Sequence, residues 1–157
     1  NGYSLSHKLI KKLKKKGEKG HISSQYILGY HYLSTRELNS AKYWFNKSAN
    51  LNDETSMYML GNVYIELGNT KDALINYEKA ANIGHPLSQL MTGLIYAQSK
   101  ERGLTIEDWK DQAIYWLTLA VEQNLNKDDE IDLGKQSEDA KQMYKYAESL
   151  LKKLETE

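Results

Sequence analysis

Tyr26-Ile27-Leu28-Gly29-Tyr30-His31-Tyr32, Tyr58-Met59-Leu60-Gly61-Asn62-Val63-Tyr64 and Leu90-Met91-Thr92-Gly93-Leu94-Ile95-Tyr96 are three versions of one segment. Glycine recurs at 29, 61 and 93 and tyrosine at 32, 64 and 96, so the period is 32 residues both times. Self-similarity at such a period marks an architecture in which each unit buries its apolar face against the next. Leu28, Gly29 and Tyr32 are three and four residues apart, which places them on one face of a helix rather than alternating across a strand.

A second block follows each of these. Ala41-Lys42-Tyr43-Trp44-Phe45 leads to Lys47-Ser48-Ala49, Ala73-Leu74-Ile75-Asn76-Tyr77 to Lys79-Ala80-Ala81, and Ala113-Ile114-Tyr115-Trp116-Leu117 to Leu119-Ala120-Val121. The first two blocks are 32 residues apart and the third lies 40 further on, so the third unit carries an eight-residue insertion within Ser99–Lys110. A glycine inside a helix costs about 1 kcal/mol relative to alanine. Three at equivalent positions therefore imply a packing return, with the missing Cβ letting two antiparallel helices approach. Ala41, Ala73, Ala113 and Ala49, Ala81, Ala120 are expected to do the same from the partner helix.

The spacing predicts helices over 4–18, 22–34, 38–51, 54–67, 70–83, 87–99, 108–123 and 136–155. Asn39-Ser40 and Asn69-Thr70 offer N-caps, with Asp72 in a first turn. Gly84 reads as a helix stop and Pro86 as a helix start. The expected organisation is a single all-α domain, an α-solenoid of antiparallel pairs. It comprises a basic half-repeat (1–20), three repeats (21–53, 54–85 and 86–126), and an acidic linker with a capping helix (127–157). In the half-repeat, Leu9, Leu13 and Gly17 precede Ala41, Phe45 and Ala49 by 32 residues.

Composition narrows the function. The chain has 157 residues and zero formal net charge, with 12 Tyr and 3 Trp against one Phe, which suits a thin protein with much half-buried surface. It has no cysteine, which removes thiolate chemistry and Cys-ligated zinc. No apolar run reaches the roughly 18–20 residues that cross a bilayer. The sequence starts at Asn1; a signal removed before it points to the periplasm, and otherwise the cytoplasm is expected.

Together these blocks resemble Sel1-like repeats, relatives of the tetratricopeptide repeat, over about residues 20–126. The carrying residues are Leu-Gly-x-x-Tyr in the first helix, Ala-x-x-Trp/Tyr-Tyr-like blocks in the second, and a closing Lys-Ala-Ala-x-x-Gly. Thr92 stands where the pattern has Leu, and Ser48 where it has Ala. The resemblance implies an adaptor that binds a partner protein. In bacteria it also implies secretion-linked or host-interaction factors and immunity proteins that neutralise a cognate toxin.

Catalytic patterns are missing. His21 and His85 are equivalent positions at helix starts, which suits capping or a loop role, and no His-x-x-x-His or nucleophile motif occurs. Glu107-Asp108-Asp111 and Asp128-Asp129-Glu130-Asp132 fall in loops or first turns, where acids complement helix dipoles. The expectation is a non-enzyme without metal or cofactor. In stacked pairs the first helices line the concave side, which nominates Tyr26, Tyr30, Tyr58, Asn62, Glu66, Leu90 and Leu94 as partner-binding. Residues 1–20 carry seven Lys against one Glu. Lys8, Lys11, Lys12 and Lys15 form a basic surface, read most simply as the solvated face of an end helix. The functional alternatives are an anionic membrane surface, an acidic partner or nucleic acid, the last poorly supported without aromatic residues for stacking.

Overall fold

The repeat phase predicts which side chains meet, and the computed structural model of the chain lets each meeting be read directly. It describes residues 5–127 and 138–156, with side chains described at 5–124 and 138–156. The acidic run Asp128–Asp132 and the expected start of the last helix at 136 lie outside the described residues.

Among the described residues there are eight helices and no strand. They are α1 (His7–Glu18), α2 (Ile22–Ser34), α3 (Leu38–Ala49), α4 (Glu54–Glu66), α5 (Thr70–Asn82), α6 (Pro86–Ala97), α7 (Trp109–Lys127) and α8 (Glu138–Thr156). Within each compact part of the chain neighbouring helices pack in chain order, which makes the fold an all-α, solenoid-like helical repeat. The chain forms two compact units, Asn1–Ile83 and Gly84–Glu157.

In the first unit, α1 packs on α2, α2 on α3, α3 on α4 and α4 on α5. A Cβ added to Gly29 would fall 2.7 Å from the Phe45 ring, and one added to Gly61 2.5 Å from the Tyr77 ring. The expected packing return is therefore real, but its partner is a ring. The alanines four residues earlier, Ala41 and Ala73, are fully buried beside it. Gly17 of α1 is used the same way, with a Cβ there 2.7 Å from Trp44. Leu13 is buried with it, whereas Leu9 remains 41% exposed.

Ser48 departs from the repeat pattern for a visible reason. Its hydroxyl donates to the Ser56 hydroxyl at 2.7 Å in a fully buried spot between α3 and α4.

The second unit packs α6 on α7 and α7 on α8, with α6 also touching α8. Gly93 meets Leu117, 2.7 Å from the position of an added Cβ. The insertion lies between the end of α6 and Trp109, and it begins with Leu104 N donating to Ser99 O at 2.8 Å. In α8, Tyr144, Ala147 and Leu154 are buried.

The helix starts repeat as well. His21, Asp53 and His85 are N-caps, accepting from the backbone N–H of Ser24, Ser56 and Ser88 at 3.3, 2.8 and 3.2 Å. Asn69 caps α5 as expected, accepting from Asp72 N at 3.1 Å. Asn39-Ser40 does not cap α3. That helix begins earlier, at Leu38 after Glu37, whose side chain makes no capping bond. Gly20 and Gly84 close their helices at φ +85° and +93°, a conformation that costs L-residues with a Cβ.

Candidate docking surface

Helices α2 and α4 lead the two full repeats of the first unit, and their relation follows from contacts at both ends. At their starts, Ile22, Ser23, Tyr26 and Ile27 of α2 share an open cleft of about 370 Å³ with Asp53 and Thr55 of α4. At their ends, Arg36 just after α2 pairs with Glu66 at the close of α4. The two helices therefore run side by side in the same direction.

The inner arc of α2 is used by the fold. Leu28, Gly29, Tyr32, Gln25 and His31 are buried, and Gln25 donates to Gly17 O at 2.8 Å. The outer arc carries Ile22, Ser23, Tyr26, Ile27 and Tyr30, where Ile22, Ile27 and Tyr30 are 37%, 41% and 55% exposed. No Asp, Glu, Lys or Arg occurs from Gly20 to Thr35. α2 thus carries no charged side chain, yet one side of it is open to solvent.

Tyr26 anchors this face. Its ring stacks on Tyr30 at 6.4 Å between centroids and meets Phe45 edge-on at 5.8 Å, which ties the exposed Tyr30 to the core. Burial, then the neighbouring Tyr30 and Asp53, pushes the Tyr26 hydroxyl above its ordinary range. The acid beside it is the N-cap Asp53, followed by the exposed Glu54.

No family model matches the chain. No curated protein matches it either.

The nominated residues separate into groups. Tyr26 and Tyr30 form a connected aromatic step on α2. Tyr58 of α4 lies 5.8 Å from Tyr77 between centroids. Asn62 is half-buried and accepts from the Tyr77 hydroxyl at 2.6 Å, so it holds a core ring in place. Glu66 is engaged by Arg36. Leu90 and Leu94 belong to the second unit and are 0% and 8% exposed. That is a correction: most of α6 is buried, including both of its nominated leucines, so neither can meet a partner.

Ile22, Ile27 and Asp53 were not nominated from sequence. The readable signal was the uncharged stretch from Gly20 to Thr35 in a chain that is 27% charged.

Lys8, Lys11, Lys12 and Lys15 are all exposed on α1. The other flank of α1 is stitched to the fold. Glu18 accepts from Lys47 at 2.8 Å and from Tyr43 at 3.0 Å, which lowers the Glu18 carboxyl and raises the Lys47 ammonium. Lys14 sits 5.5 Å over the Tyr32 ring. Among the described residues no group of three His, Asp or Glu side chains is placed to hold a metal ion. No described helix is long and apolar enough to cross a membrane.

Proposed function

We propose that the chain is a Sel1-like repeat protein acting as a non-enzymatic protein-binding module, with the outer face of α2 and the start of α4 as its docking surface. The observation that carries this reading is the uncharged outer arc of α2, along which Ile22, Ile27 and the 55% exposed Tyr30 all face solvent. Exposed apolar surface rimmed by polar groups is how interaction sites differ from ordinary surface. Tyrosine is among the residues that dominate such interfaces, because it brings large contact area at low rotamer entropy and a polar tip.

The charge lining the cleft is the Asp53 carboxylate, so the partner segment that fits carries an apolar side chain for the Tyr26–Ile27 step and a basic group beside it. An inhibitor of a secreted toxin is one such binder, and the resemblance to Sel1-like proteins supports that more specific role.

The test is retention of a stoichiometric partner from the native host by the wild-type chain and by a Tyr30→Asp, Ile27→Asp variant. Both positions are solvent-exposed, so the variant should keep its unfolding midpoint and lose the partner. A wild-type chain that retains only chaperones, or a variant that holds its partner as well as wild type, contradicts the reading.

A further inference from the structure

Lys8, Lys11, Lys12, Lys15 and Lys16 share one side of α1, and Lys19 follows as its C-cap. At 100° per residue the first five fall in an arc of about 140°, opposite the buried Leu13 and Gly17. All six are exposed. None of them enters an ion pair or lies over an aromatic ring among the described residues. Lys14, which falls outside the arc, does lie over a ring, and Glu18, the one acid of the helix, is turned toward Lys47 and Tyr43.

This arrangement works against the helix. Within α1, Lys8–Lys12, Lys11–Lys15 and Lys12–Lys16 are like-charge pairs four residues apart, which destabilise a helix. Other solvated helices of the same chain mix their signs: α5 sets Lys71 beside Asp72 and Glu78 beside Lys79, and α8 sets Glu148 four residues before Lys152. A surface serving only solubility has no reason to concentrate one sign where it opposes folding.

We infer that the lysine stripe of α1 adsorbs to an anionic lipid bilayer surface. Clusters of four to eight basic residues on one helix face suffice for such binding, each adding to the attraction. Two features favour a bilayer over nucleic acid. The stripe holds lysine alone, with no arginine fork for phosphate or base edges and no aromatic ring for stacking. At its edge Leu9 is 41% exposed between Lys8 and Lys12, placed to enter the headgroup layer once the lysines have docked. The apolar side of α1 is occupied by the fold, so the helix lies on the surface without inserting. The stripe uses no residue of the α2 docking face, and its test does not depend on that reading.

The experiment is co-sedimentation of the full chain with phosphatidylcholine vesicles, with and without phosphatidylserine, at low and physiological salt. The expected result is binding only to the serine-containing vesicles and a steep loss with salt. Replacing Lys8, Lys12 and Lys15 with Gln should lower the partition coefficient about a hundredfold with the helical circular dichroism signal intact. A control with Lys71→Gln and Lys79→Gln on α5 should bind as wild type. Absence of binding to anionic vesicles at low salt overturns the inference, as does an α5 control as weak as the α1 variant. Tighter binding to a duplex oligonucleotide than to the vesicles overturns it too.

Discussion

The ring of Tyr77 lies across Gly61 so closely that a Cβ on the glycine would stand 2.5 Å from Tyr77 Cε1. Tyr77 has no room to give, since it is fully buried and its hydroxyl is held by Asn62 at 2.6 Å. The pair is the contact on which the second repeat closes.

Gly61→Ala is therefore predicted to destabilise the first unit despite the better helix propensity of alanine. Overpacking costs about 1–3 kcal/mol and the propensity gain returns about 1 kcal/mol. A net loss of up to about 2 kcal/mol in urea unfolding is expected. A stabilised variant would mean that the ring moves freely.

His31→Val is predicted to act the other way. His31 is 6% exposed and its Nδ1 is buried without a hydrogen-bond partner. One period on, the same position holds Val63, and two periods on Ile95, both fully buried. Removing an unsatisfied buried polar atom should stabilise by about 1 kcal/mol, read as a higher urea midpoint. A lower midpoint would show that the imidazole makes a contribution its contacts do not reveal.

How much of this could be read from the chain alone depends on what period conveys. A 32-residue repeat assigns phase, and phase locates the packing glycines, the second-helix alanines and the equivalence of His21 and His85 at helix starts, where the structure selects capping over a loop role. The same period carries Ser24, Ser56 and Ser88, whose backbone N–H groups donate to the caps His21, Asp53 and His85. What phase does not convey is the cover over a face. Tyr30 and Leu94 occupy the same position in their repeats, yet one is 55% exposed and the other 8%. The α3 cap failed for a local reason: the helix starts at Leu38, ahead of the Asn39-Ser40 pair, without a side-chain cap.

Tyr26 makes the docking face sensitive to alkali. Its hydroxyl titrates above the ordinary value of 10.0 in the folded chain, chiefly through burial. Between the unfolded and folded values the native state holds the extra proton, so stability is full below pH 10 and falls as pH rises beyond it. Tyr26→Phe should lose less stability than wild type between pH 9 and about pH 11, measured by urea midpoints. Parallel pH curves for the two proteins would contradict this.

Docking requires the outer arc of α2 to be left open for a partner. Hydrogen–deuterium exchange on the chain with and without the protein it retains tests that most directly. The predicted result is slowed exchange across residues 22–34 and the first turn of α4, with α5 unchanged. Protection confined to other helices, with α2 exchanging as in the free chain, would contradict it.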